Sequence, residues 1–474
     1  MTARGHGGMA ERLGAVLAEQ LGSDVEVDEL ARLAGGSSRE SWRFTARTPG
    51  GSARHFVLRR DPPGAPSSGL RLEAALLEAA AAAGVPVPTL VAAGADDSSL
   101  GGSFVVVDFV EGETIPRRIL RDESLTEARA RMAGQCGEIL ARIHAIPPAA
   151  VPGLRGADQL GQLRSMLDDL GQPHPAFEIA IDWLGRHRPP DGPEVVVHGD
   201  FRNGNLIVGQ EGVRAVLDWE LAHLGDPLED LGWLCMKAWR FGSPLPVGGF
   251  GELEDLVTAY EVASARPVDR RALFWWQVLG TLRWGVICIV QAMSHLSGAV
   301  PSVELAAVGR RVAEVEWDLL EMLPTDDASP GAMAPTSPSL PPEPDLGSLP
   351  PHDRPTAVEL LEAVRHFLES DVLPELEGRR RFHGLVAVNV LAMVKRELEL
   401  GPALAAAHAE RLARLGVADE DELARAIRTG AFAGRMGEVR QAVGETVAGK
   451  LRVANPAHLD PPDVKAPRAT GNSS

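Results

Sequence analysis

Three polar residues, Asp200, Asn205 and Asp218, stand beside short apolar runs in the stretch EVVVHGDFRNGNLIVGQEGVRAVLDWELAHLGDPLEDL, Glu194 to Leu231. An aspartate at a strand end can accept a hydrogen bond from an attacking hydroxyl and then take its proton. An amide oxygen and a carboxylate nearby form a hard-oxygen pair suited to magnesium. Together these groups suit phosphoryl transfer, which relies on positioning the acceptor and neutralising phosphate charge. Val195 to Val197 and Val213 to Leu217 read as strands, and Gln210 to Gly212 as the turn between hairpin partners. The three groups therefore belong on loops carried by a small sheet.

Phosphates also need a cradle and a cation, and the upstream sequence offers both. From Leu33 to Ala46, LAGGSSRESWRFTA reads as strand, glycine-rich turn, strand. Backbone N–H groups at Gly35, Gly36, Ser37 and Ser38 could approach phosphate closely. The turn lacks the Gly-Lys-Ser/Thr ending of a Walker A loop, and by itself would be an ordinary hairpin turn. His55 to Arg60 reads as a third strand, on which Val57 and Arg59 share one face. Leu70 to Ala83 is built from strong helix formers and stops at Gly84. It carries Glu73, the better partner for Arg59, and Glu78 as the alternative.

Phe104 to Phe109 reads as a further strand, so the first lobe runs strand, strand, strand, helix, strand, with an amphipathic helix from Ala10 to Leu21 against it. A capping box from Ser124 to Glu127 opens the long helices, with an apolar stripe at Leu125, Met132, Cys136, Ile139 and Ile143. Leu253 to Tyr260 and Arg270 to Leu323 continue as helices. Ala272 to Met293 is as long as a bilayer helix, but Arg283 at its middle favours a buried core helix.

Bulk properties narrow the class. With 474 residues, 45% of them hydrophobic, the chain can build at least one large core. A formal charge of −18 without a long basic run argues against binding nucleic acid or anionic membrane. Cys136, Cys235 and Cys288 are widely spaced in apolar surroundings, which suits buried thiols of a reducing compartment and neither disulfide nor zinc. No apolar signal core marks the N-terminus, so the expectation is a cytoplasmic protein.

Nine prolines between Pro324 and Pro351 mark a linker over about 323–352. Thr356 with Glu359 then opens a second helical region, 353–455, whose stripes at Leu360, Leu361, Val364, Phe367 and Leu368, and at Leu385, Val388, Leu391 and Val394, read as a compact bundle. Arg379, Arg380 and Arg381 could meet a phosphate-bearing ligand, although a solvated helix start is the simpler reading. The tail, 456–474, is Pro-rich and polar and is expected to be disordered.

HGDFRNGNL with VLDWE and GDPLEDL resembles the aminoglycoside and choline kinase branch of the protein-kinase-like fold. LAGGSSRESWRF, FVLRRDPPG, AAGVPVP, FVVVDFVEG and AWRFGSPLPVGGFG are similar to the phosphotransferase domains associated with acyl-CoA dehydrogenases. The resemblance implies an α+β, two-lobed fold over 1–322, with a small β-rich N-lobe at about 10–112 and a mainly helical C-lobe at about 113–322. A separate all-α domain of unknown function would follow. It implies ATP and Mg2+ as cofactors, Asp200 as catalytic base, Asn205 and Asp218 as magnesium ligands, and Arg59, where most kinases have Lys, as the phosphate-binding cation. Asp226 and Asp230 would brace the catalytic loop, and His198 would orient it. The expected activity is an ATP-dependent kinase acting on a small-molecule hydroxyl, such as that of a hydroxyacyl-CoA, with a functional link to an acyl-CoA dehydrogenase. Aminoglycoside phosphorylation and a pseudokinase that binds nucleotide without turnover are the alternatives. Oligomeric state stays open.

Overall fold

The computed structural model describes residues 3–33, 40–49, 51, 53–62, 69–94, 99–324 and 354–459. The Gly35 to Ser38 turn, nearly all of the Pro-rich linker and the tail beyond 459 lie outside the described residues.

Parity along the strands organises the first part of the chain. α1 (Ala3–Leu21) precedes β1 (Glu26–Arg32), β2 (Glu40–Arg47) and β3 (Arg54–Arg60). After these come α2 (Leu70–Ala82), β4 (Leu90–Gly94) and β5 (Phe104–Asp108). The five strands form one antiparallel sheet in the order β1-β2-β3-β5-β4. Phe44, Phe56, Leu58 and Val106 point to one face and bury Leu13 and Leu17 of α1. Val57, Val105 and Val107 belong to the other core, with Leu70, Ala74 and Leu77 of α2. A side-chain period of two therefore sends Arg59 toward α2 and Arg60 to the opposite face, where it pairs with Glu40 at 2.7 Å.

Two expectations need correction here. The first strand lies before Leu33, in the mostly exposed EVDELAR, because it is an edge strand held by backbone pairing to β2. The lobe also has a fifth strand, β4, whose five residues LVAAG after Pro88 give little alternating pattern.

The helical part begins with α3 (Pro116–Arg121) and α4 (Thr126–Ile143). The Ser124 to Glu127 capping box does not form. Asp122 instead accepts hydrogen bonds from the Ser124 amide at 2.9 Å and hydroxyl at 2.7 Å, which spends the serine one turn early. The stripe from Leu125 to Ile143 is buried throughout. α5 (Gln159–Leu170) and α6 (Pro175–Arg186) lead to β6 (Val195–Val197). The hairpin β7 (Leu206–Gly209) with β8 (Gly212–Val216) follows, then β9 (His223–Gly225), which pairs with β6. α7 (Leu228–Leu234), α8 (Leu253–Ser264), α9 (Arg270–Leu296), α10 (Val303–Gly309) and α11 (Val312–Met322) come next. α9 is long and apolar enough to cross a membrane, yet Leu273, Val278, Leu279, Leu282 and Val286 on it are buried in the fold. The three cysteines are free and buried, and burial pushes the Cys235 thiol up to about 12.

The chain divides into two units by its contacts: Met1–Ala157 with Pro189–Gln277, and Asp158–Arg188 with Val278–Ser474. The second contains α12 (Ala357–Phe367), α13 (Gly378–Leu415), α14 (Glu420–Arg428) and α15 (Met436–Ala454). The Thr356 capping box is present, with both reciprocal hydrogen bonds. Within this unit, Arg428 pairs with Glu178 of α6 at 2.7 Å, and Arg440 donates to the Leu320 and Leu323 carbonyls. The expected bundle interior is a correction: Leu360, Val364, Phe367, Leu385 and Val394 are all more than a third exposed. The buried positions are instead Leu423 and Ile427 of α14 and Val439, Val443, Val447 and Leu451 of α15, the helices that pack on α6 and α11. Arg379, Arg380 and Arg381 are exposed at the first turn of α13.

Candidate active site

Strand pairing brings the loop after β6 against the loop after β8. The peptide of Leu217 joins them: its N–H donates to the Asn205 carbonyl at 2.8 Å, and its carbonyl lies 3.1 Å from Nε2 of His198. Asp218 follows with φ 68 and ψ 64, a left-handed conformation uncommon for a residue with a side chain and often found at functional sites.

Asp200 is held by three donors. Arg202 Nε at 3.0 Å and Trp233 Nε1 at 2.9 Å reach one carboxylate oxygen, and Asn205 Nδ2 at 2.6 Å reaches the other. Fixing a carboxylate this way sets its orientation before any substrate arrives. The Asn205 amide nitrogen is spent on Asp200, so Oδ1 is the atom left for a cation. With the half-buried carboxylate of Asp218 this makes one neutral and one anionic oxygen. The pair fits magnesium, which uses few protein ligands and takes the rest from phosphate and water. Among the described residues there is no group of three or more His, Cys, Asp or Glu placed to hold a metal.

The cation of β3 completes the constellation. Arg59 pairs with the buried Glu73 of α2, while its other terminal nitrogen lies 3.3 Å from Oδ1 of Asp218. Glu78 is exposed on the same helix, which excludes it as the partner. The chain thus brings together Arg59, Glu73, Asp200, Asn205 and Asp218; Gly35, Gly36, Ser37 and Ser38 lie outside the described residues.

A buried polar frame supports this loop. Asp230 of α7 is fully buried and accepts hydrogen bonds from the His198 amide at 2.7 Å and the Gly199 amide at 2.8 Å. It also lies 3.2 Å from Nε2 of His144, whose Nδ1 is 3.0 Å from the Tyr260 hydroxyl. Burial works to raise the Asp230 carboxyl, but the His144 contact and the charge and amide of His198 outweigh it and lower the pKa. Asp226 accepts from the Leu228 amide at 2.8 Å in the first turn of α7. His198 accepts the Asp200 amide on Nδ1 at 3.2 Å, so the neutral ring carries its proton on Nε2 and donates to Leu217. Trp219 is buried with its ring 4.7 Å from the His198 ring. Arg202 and Trp233 were not among the residues expected to touch the carboxylate. Arg202 is visible two positions after Asp200, whereas Trp233 arrives from α7 and leaves no local signal.

Burial lowers the His198 pKa, so the unfolded chain takes up the proton first as pH falls. Stability should therefore decline below an unfolded value of about 6.5, by roughly 1 kcal/mol for a full pH unit. Urea midpoints at pH 7.5 and 5.5 check this. The difference should shrink in His198→Gln, and an unchanged difference would remove His198 as its source.

This site and sheet define a protein-kinase-like phosphotransferase fold. Residues 29–272 match the phosphotransferase enzyme family, which covers more than half of the chain, and the chain belongs to that family. Residues 374–458 match a domain of unknown function (DUF6285). Acyl-CoA dehydrogenase family member 10 of Mus musculus is 34% identical over 211 residues, covering 41% of this chain and 19% of that protein. Acyl-CoA dehydrogenase family member 11 of Gallus gallus is 34% identical over 202 residues, covering 39% and 25%. The matched part thus spans about a fifth to a quarter of the length of these curated relatives. Among solved structures, that of an aminoglycoside phosphotransferase candidate from Ralstonia eutropha is 24% identical with a TM-score of 0.54, over 66% of this chain and 97% of that one.

Proposed function

We propose that the protein is an ATP-dependent small-molecule kinase that phosphorylates a hydroxyl, with a hydroxyacyl-CoA as the acceptor class. The observation that carries the reading is the convergence of Arg59, Asp218, Asn205 and Asp200 from three separated stretches of chain. Asp200 accepts the hydrogen bond of the acceptor hydroxyl and takes its proton as the oxygen attacks the γ-phosphorus. Arg202, Trp233 and Asn205 keep that carboxylate turned toward the acceptor. Arg59, steadied by Glu73, holds phosphate oxygens, and its planar fork can do so with two hydrogen bonds where a lysine offers a point charge. Gly35, Gly36, Ser37 and Ser38 remain the sequence's candidates for a backbone cradle for the same phosphates. Asn205 and Asp218 would hold Mg2+, which would neutralise charge on the phosphate oxygens.

The intact base and ligand set favours turnover over a nucleotide-binding role alone. Similarity to a fraction of much longer acyl-CoA dehydrogenase family proteins supports the acyl-CoA class and a functional link to an acyl-CoA dehydrogenase. The test is ADP release by the purified chain with ATP and magnesium across hydroxyacyl-CoAs, amino alcohols, sugars and aminoglycosides. Acceleration by hydroxyacyl-CoAs above the others is expected. Preference for an aminoglycoside would reassign the acceptor, and no stimulation by any of them would end the kinase reading.

A further inference from the structure

Within the second unit, residues of α11, α13 and α15 line an open cleft of about 420 Å3, a size typical of small-molecule sites. Much of its wall is carbon, including Val312, Leu404 and Val453. The carboxylates that line it already face cations: Glu397 meets Arg310 at 2.7 Å, Glu316 meets Lys450 at 3.4 Å, and Glu420 meets Lys450 at 3.7 Å.

Arg411, also in the wall, is held differently. Its side chain is only 11% exposed, yet its nearest carboxylate oxygen among the described residues belongs to Glu445, 4.0 Å away. Its Nε donates to the Thr446 hydroxyl at 3.0 Å, and that hydroxyl gives its own proton to the Ala442 carbonyl. The guanidinium plane is therefore anchored at one edge, and its Nη atoms make no hydrogen bond to the described residues. Arginines this shielded from water are usually tightly paired, and even the more exposed Arg428 meets Glu178 and Asp168 at 2.7 and 2.8 Å. Burial lowers the Arg411 pKa, only partly offset by Glu445, which is the signature of a cation short of an anion.

The geometry points to a binding site for a small organic anion with a short apolar body. Its carboxylate or phosphate accepts hydrogen bonds from the Nη atoms of Arg411, and its carbon chain lies along Leu404, Val312 and Val453. None of these residues takes part in the phosphotransfer constellation, so the inference stands apart from the proposed activity.

Calorimetric titration of the full chain with hexanoate, hexyl phosphate and hexan-1-ol tests it. At least one anion should bind tenfold or more tightly than the alcohol. The stronger of the two identifies the head group as carboxylate or phosphate. Arg411→Gln should lose at least tenfold in that affinity, and Arg411→Lys should keep part of it. Equal binding of alcohol and anions, no binding of either anion, or an Arg411→Gln protein that binds as the wild type does would each overturn the proposal. If Arg411→Gln does not fold, the wild-type comparison of anion with alcohol decides alone.

Discussion

Asp200→Asn is expected to lower turnover by about 10²- to 10⁴-fold, the range for removing a positioned general base, while leaving nucleotide affinity within a few-fold of wild type. The substitution keeps the size of the side chain, and an amide oxygen can still accept from Arg202 and Trp233, which both reach the same carboxylate oxygen. What it removes is the ability to take a proton from the acceptor. It also turns an NH2 group toward Asn205, whose own amide nitrogen donates to Asp200, so Asn205 must rotate or lose that bond. Steady-state kinetics with calorimetric measurement of ATP binding separates the two quantities. A variant with near-wild-type turnover would show that Asp200 is not the base.

Asp230→Ala is expected to lose about 3–5 kcal/mol of stability, the range for breaking a buried polar pair. The alanine leaves the amides of His198 and Gly199 without their acceptor, and His144 without its carboxylate, in a fully buried setting. Unsatisfied buried donors cost about 1–3 kcal/mol each, and these three groups share one partner, so the costs do not simply add. Asp230→Asn should be milder but still destabilising, since the His198 and Gly199 amides reach different carboxylate oxygens and the new NH2 group would face one of them. Denaturant melts of both variants check the order. An Asp230→Ala protein within 1 kcal/mol of wild type would mean that the loop does not depend on this brace.

Much of the site was legible before any coordinates because its signals are local. The spacing from Asp200 to Asn205 lies within one loop, and Asp218 follows one hairpin later. Strand parity alone turned Arg59 toward the helix carrying Glu73. The signals that failed are those that depend on distant parts of the chain. β4 is too short and too rich in alanine to alternate, and is held by its pairing with β5. Trp233 reaches Asp200 across 33 residues, through the packing of α7. On α12, the apolar stripe could not reveal which of its residues would be covered, and Leu360, Val364 and Phe367 remain exposed. Asp122 outcompeted the expected Ser124 cap through two hydrogen bonds that a four-residue motif does not encode.

The most direct test of the central claim is phosphorus-31 NMR of ATP and magnesium with a pool of hydroxyl acceptors, comparing the wild-type chain with Asp200→Asn. The account predicts that the γ-phosphoryl resonance is replaced by a phosphate-ester resonance on an acceptor in the wild type, and persists in the variant. An ATP spectrum unchanged by the wild-type chain, or ester formation at equal rates in both proteins, would contradict it.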